Sequence, residues 1–160
     1  MIADELRGLA IVSVTQAQKL GAIDDILIDT QQHQVDGFLL QGGLFHVGPA
    51  VAWSDVRTIG IDAVMVDDSS AAGANVAGQT RLAQLRGRKV VSNTGELIGT
   101  IVSIDFDPVS GAIVSYIVAG LDRGVFRAPS QFNVPAATVS AIGADLITID
   151  AQAAGLKAAQ

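Results

Sequence analysis

The alternation of apolar and polar positions is clearest in the second half of the chain. Val102, Ile104 and Phe106 sit two residues apart with Ser103, Asp105 and Asp107 between them, the period of a strand with one buried face. Asp107-Pro108-Val109-Ser110-Gly111 follows and predicts a turn, because proline sets φ early and glycine accepts a positive φ late. Residues 112–119 are then a near-continuous β-branched run, suited to a strand covered on both faces. The same succession occurs earlier, with Ile26 and Ile28, a polar turn across 30–34, and a strand over 35–40. Short strands are predicted near 44–47 and 125–127. Stretches too short for a long helix follow at 54–58 and 137–141, and closing strands at 63–66 and 146–149.

These two successions are one pattern used twice. Leu6-Arg7-Gly8 recurs as Leu85-Arg86-Gly87, and Val12, Ser13 and Thr15 match Val91, Ser92 and Thr94 at the same offset of 79. After one residue is lost, Gly21, Ile23, Ile26, Asp29 and Gly42 match Gly99, Ile101, Ile104, Asp107 and Gly120 at 78. After five are gained, Val51, Val56, Ile59, Gly60, Asp62 and Asp67 match Val134, Val139, Ile142, Gly143, Asp145 and Asp150 at 83. Self-similarity of this kind decides architecture before any single element does. About six short strands in each copy predict an all-β protein of two tandem six-stranded barrels with short helical turns, since closure removes exposed sheet edges. The expected division is 1–68 for the first barrel, 69–84 for a linker, 85–150 for the second barrel and 151–160 for a tail. The segment 68–79 is small, polar and glycine-containing, as linkers are. A helical turn is expected over 80–85.

Composition supports strands and turns. The chain of 160 residues is 49% hydrophobic with only 4% aromatic, so its core is built from Val, Ile, Leu and Ala. Its acidic residues are 14 Asp against 2 Glu, and Asp favours turns and caps over helix interiors. No cysteine is present, which excludes disulfides and thiolate metal sites. The first residues lack the basic and apolar regions of a signal peptide, and no apolar run reaches bilayer length; a soluble cytoplasmic protein with no transmembrane segment is expected. Charge is uneven: residues 1–80 hold 3 Lys and Arg against 10 Asp and Glu, or −7, while 81–160 hold 7 against 6, or +1. An acidic half joined to a near-neutral one argues against a nucleic-acid partner.

Particular residues narrow the picture further. Leu85-Arg86-Gly87-Arg88-Lys89-Val90-Val91, then Gly95-Glu96-Leu97-Ile98-Gly99, then Ile104-Asp105-Phe106-Asp107 with Ser110-Gly111, resembles the opening half of a PRC-barrel domain. Residues 51–64, from Val51-Ala52-Trp53-Ser54-Asp55 through Ile59-Gly60-Ile61-Asp62, resemble its closing half. The repeat carries each resemblance to the other copy, so it covers 6–67 and 85–150. The copies depart from the pattern at Gln16-Ala17-Gln18, which replaces a glycine-containing turn, and at Ala136, which stands where the first copy has Trp53. The resemblance implies a barrel that serves as an assembly or docking unit, as in the H subunit of photosynthetic reaction centres and the ribosome maturation factor RimM. It implies no common catalytic activity.

The residues offer no catalytic constellation either. His33 and His46 lie 13 apart without further ligands at metal-binding spacing; one exposed and one partly packed histidine is expected. Asp105-Phe106-Asp107 lacks the later ligands of a calcium loop, whose twelfth position would be Tyr116. Asp24-Asp25 and Asp67-Asp68 are adjacent pairs that would face opposite ways in strands. No serine sits in a Gly-x-Ser-x-Gly elbow, and no glycine run precedes a helix that could hold phosphate. A non-enzymatic protein without cofactor or metal is therefore expected.

One basic cluster, Arg81, Arg86, Arg88 and Lys89, stands at the start of the second copy. It is a candidate docking patch for a protein partner; the plainer reading is a solvated edge, with Arg86 paired to acidic residues of the first barrel. Trp53, Phe45 and Phe132 are expected in the core, and the aliphatic surface is a candidate for homodimerisation. The leading function is a scaffold or adaptor binding an unidentified protein. The alternative is a RimM-like ribosome- or RNA-associated factor, and a hydrolase or metal enzyme is the weakest reading.

Overall fold

The computed structural model describes residues 1–43, 48–68, 79–121 and 130–155. The strands expected at 44–47 and 125–127, with Phe45 and His46, lie outside the described residues.

The first copy contains β1 (Ala10–Ser13), β2 (Gln18–Asp29), β3 (Gln34–Leu40), β4 (Ala50–Ala52), β5 (Val56–Ile59) and β6 (Ala63–Val66). They are ordered β4-β3-β2-β1-β6-β5, with β1 and β6 parallel and the other neighbours antiparallel. The two outer strands, β4 and β5, are consecutive in the chain and joined by one 3-10 turn at Trp53–Asp55. The sheet therefore curls until its ends meet at that corner, which is how a small barrel avoids free edges.

The second copy repeats the path strand for strand. After β7 (Thr80–Arg81) and the one-turn helix α1 (Leu82–Leu85) come β8 (Lys89–Ser92), β9 (Leu97–Phe106), β10 (Ile113–Gly120), β11 (Gln131–Pro135), β12 (Val139–Ile142) and β13 (Leu146–Ile149). Their order is β11-β10-β9-β8-β13-β12, again with one parallel pair, β8 and β13. Thus the fold is two tandem six-stranded barrels, as the strand pattern predicts.

The irregularities repeat as well. Pairing skips Leu20, Asp24, Asp36 and Arg57 in the first barrel. It skips Ile98, Val102, Val114 and Ser140 in the second, and these are the equivalent positions. A bulge bends a strand and turns the following side chains to the other face. For this reason the simple alternation expected at Val102, Ile104 and Phe106 breaks: Ile104 and Phe106 are buried, Val102 is only half-buried, and Ser103 is buried instead. The same bulge in β2 exposes Asp24 and buries Asp25. In the turn after β1, Ala17 holds φ +52° where its counterpart Gly95 holds +86°. The substituted turn keeps the left-handed geometry, which costs an L-residue roughly 1–2 kcal/mol.

Polar turn residues act as expected. Asp29 Oδ1 accepts from Gln31 N and Gln32 N, and its counterpart Asp107 Oδ1 accepts from Val109 N and Ser110 N. These backbone donors hold the Asp107 carboxyl below the usual carboxylate range. The chain after β13 closes in a similar turn on Asp150, and Ala154 packs back on the core.

Buried side chains of both copies, including Ile26, Phe38 and Leu40 from one and Ile104, Phe106 and Tyr116 from the other, form one contiguous cluster. A shared core makes the two barrels a single cooperative unit. Calorimetry should show one unfolding transition, and Phe106→Ala should lower it by about 3–5 kcal/mol without splitting it. Two resolved transitions, in either protein, would contradict the shared core.

Candidate functional site

Backbone and side-chain hydrogen bonds join the two barrels where they meet. The turn after β2 and the turn after β9 lie against each other through an antiparallel bridge between Gln34 and Ala112. Val35 N donates to Gly111 O and Ile113 N donates to His33 O, each at 2.8 Å. Residues 33, 34 and 35 are the repeat equivalents of 111, 112 and 113, so the two bonds exchange under a pseudo-two-fold axis through the bridge. Gln34 adds a side-chain bond, Nε2 donating to Ser110 O at 2.8 Å.

The start of each copy crosses to the other barrel. Thr80 and Arg81 in β7 pair antiparallel with Ile28 and Leu27 of β2. Reciprocally, Ile2 bridges to Asp105 of β9, and Phe106 N donates to Met1 O at 2.9 Å. Met1 and Ile2 are the equivalents of Thr80 and Arg81. Each long strand therefore receives an arm from the opposite copy.

Within this symmetric frame the side chains are deliberately unequal in size. Gly111 has φ +78° and its counterpart His33 has +51°, so both turns use the left-handed region. At Gly111, a Cβ would lie 2.7 Å from Trp53 Cε2 and closer still to Gln34 Nε2. Trp53 occupies the space this glycine leaves, with ring centroids 6.1 Å from both Phe38 and Phe106 in edge-on contacts. In the other half the equivalents are Ala136 for Trp53 and His33 for Gly111. There the bulk comes from the turn, as His33 crosses to Tyr116, with Nδ1 and Oη 2.7 Å apart. Burial lowers the His33 pKa below 6.5 against an opposing pull from Asp29, and burial raises that of Tyr116. Both groups are thus neutral at pH 7, and either imidazole tautomer completes the bond.

The four basic residues stand in different surroundings. Arg86 forms an ion pair with Asp4 of the first copy, while its Nε is buried without a partner among the described residues. Its counterpart Arg7 instead lies 3.9 Å from Asp25 of its own barrel. Arg88 Nη1 donates to Gly143 O at 2.7 Å. Arg81, in β7, and Lys89, in β8, are exposed. Two of the four are thus engaged within the molecule, and two face solvent.

Among the described residues no group of three or more His, Asp or Glu side chains could hold a metal ion. Asp24 and Asp25 do point apart, one exposed and one buried. Among the described residues the buried hydroxyls of Ser103 and Ser115 have no hydrogen-bond partner. Sequence reasoning missed His33 as a joining residue. Its alignment with Gly111 was the available signal, since glycine at a turn marks a left-handed position.

A family model for the PRC-barrel domain matches this chain twice, over residues 1–72 and 78–156. The chain belongs to the PRC-barrel family. It is also similar to an uncharacterized protein of Clostridium acetobutylicum, 29% identical over 68 residues, which span 39% of this chain and 78% of that protein. The relative thus matches about one barrel of this tandem PRC-barrel protein. No helix among the described residues is long and apolar enough to cross a membrane.

The size exchange generates a double-mutant cycle. Gly111→His should destabilise by about 3 kcal/mol through overpacking and strain, and Trp53→Ala by about 3 kcal/mol through lost packing. The double variant should be about 1–2 kcal/mol more stable than the sum of the two losses, read from urea unfolding; additive losses would contradict the shared space.

His33 adds a pH dependence. Its folded pKa is lowered, so its contribution is full above pH 6.5 and is lost as pH falls through the lowered value. Comparison with His33→Asn, which suits the left-handed backbone, isolates this effect. Between pH 7.5 and 5.5 the melting temperature of the parent protein should fall more than that of the variant.

Proposed function

We propose that this PRC-barrel protein is a non-enzymatic cytoplasmic adaptor, a two-barrel unit that docks a protein partner. The observation that carries this reading is the joint between the barrels. Its histidine, tyrosine and buried backbone donors are used to hold one barrel against the other, so they are not arranged around a substrate. A unit fixed in this way offers a partner a preorganised surface, which lowers the ordering cost of association. Its two faces differ in charge, acidic on the first copy and near neutral on the second, and such asymmetry favours one docking orientation.

Affinity capture from the native cell, with and without nuclease, tests the reading. A protein recovered in fixed ratio to the bait, and unchanged by nuclease, is the expected result. Recovery of ribosomal proteins that disappears on nuclease treatment would overturn it in favour of an RNA-associated factor.

A further inference from the structure

A pocket of about 300 Å³ opens on the first barrel where the chain enters β1, lined by Met1, whose ammonium is paired with Asp105, and by Glu5, Leu6, Leu9, Ile59, Gly60 and Ile61. The repeat equivalents of the last six in the second barrel are Gln84, Leu85, Arg88, Ile142, Gly143 and Ala144. There the position of Leu9 is taken by an arginine. Arg88 is half-buried and its guanidinium donates to the Gly143 carbonyl at 2.7 Å. In the first barrel the residue at that position is Leu9, which carries no donor, and the space stays open.

Three of the differences between the two places suit an arginine that arrives from outside. Glu5 replaces Gln84 and brings a negative charge. Ile61, 92% exposed, replaces Ala144 and adds an apolar wall. Leu9 replaces Arg88 and leaves an aliphatic floor. An arginine side chain lays its methylene stem on apolar surface while its planar head seeks carboxylate and carbonyl acceptors. The surrounding half of the chain carries −7, which draws a basic partner to this face.

We propose that this pocket docks an arginine side chain of the partner protein. The stem packs on Leu9, Ile59 and Ile61, and the guanidinium bonds the Gly60 carbonyl and the Glu5 carboxylate, as Arg88 bonds Gly143 in the second barrel. The proposal rests on the docking reading and names the chemistry of the partner.

The test is a proton–nitrogen NMR titration of the full chain with the peptide acetyl-Ala-Arg-Ala-amide. Saturable shifts are expected at Glu5, Leu9 and 59–61. A citrulline peptide, neutral but of the same shape, should bind roughly tenfold more weakly because it lacks the charge-assisted bonds. Leu9→Arg should abolish binding by filling the pocket, and it should fold because the second barrel already carries that arrangement. Glu5→Gln, a change at an exposed position, should weaken binding about 2- to 5-fold and decides the matter should Leu9→Arg not fold. Absence of saturable shifts, equal binding of the citrulline peptide, or undiminished binding to both variants would overturn the proposal. Partner capture by Leu9→Arg as strong as by the parent protein would overturn the pocket alone and leave the docking reading standing. Peptide binding without any nuclease-resistant partner would overturn the docking reading instead.

Discussion

The bridge between Gln34 and Ala112 is the constraint on which the rest of the molecule depends. Two turns can approach closely enough to exchange backbone hydrogen bonds only if each bends its chain sharply, and both do so with a left-handed residue, His33 or Gly111. Once that contact forms, the pseudo-two-fold axis is set. The arms at Ile2 and Thr80–Arg81 then fall beside the long strands β9 and β2. The buried side chains of the two barrels merge into one cluster as a consequence, because neither barrel can turn relative to the other without breaking paired backbone groups. Buried N–H and C=O groups left unpaired are costly, so the register of the bridge is held from both sides.

A symmetric frame with unequal side chains distinguishes pairing within the chain from pairing between like copies. Trp53 needs a glycine opposite, and the first copy offers His33 at that place. Ala136 leaves room opposite, and the second copy offers Gly111 there. Two first barrels facing each other would crowd tryptophan against histidine, while two second barrels would leave space unfilled. Overpacking and cavities are both destabilising in a dense interior. The complementary arrangement is the one in which each copy meets the other, which the linking chain also favours by keeping their local concentration high.

Much of this fold was legible in the sequence and the joint was not, for physical reasons that differ. The repeat, the turn at Asp107–Gly111 and the strand after it were legible because period-two patterning and turn chemistry are local. Val102 misled because a bulge is a property of two paired strands. Its sequence neighbours alternate correctly, and only the partner strand shows that a residue is skipped. His33 was hidden for a similar reason: a histidine in a polar turn looks exposed until its counterpart is recognised as Gly111 and Tyr116 is brought within 2.7 Å from the other barrel. Among the four basic residues, the pairing of Arg86 with the acidic first copy was readable from charge asymmetry. The bond from Arg88 to Gly143 required the β12–β13 corner to be placed beside it. That pair, once seen, is what makes the open pocket at Leu9 intelligible.

Joining two copies in one chain changes what each must do alone. In a symmetric dimer of identical barrels every substitution appears twice, so a change that improves one half of the joint strains the other. In a tandem the two positions are independent. A tryptophan can enter at 53 while 136 stays alanine, and a leucine can stand at 9 while 88 is arginine. The same freedom applies to charge, with −7 gathered on one half and +1 on the other. The barrel scaffold, down to its four equivalent bulges, is held constant by backbone pairing. Side chains at the joint and around the mouth of the first barrel differ between the copies, and these are places where a partner could distinguish one copy from the other.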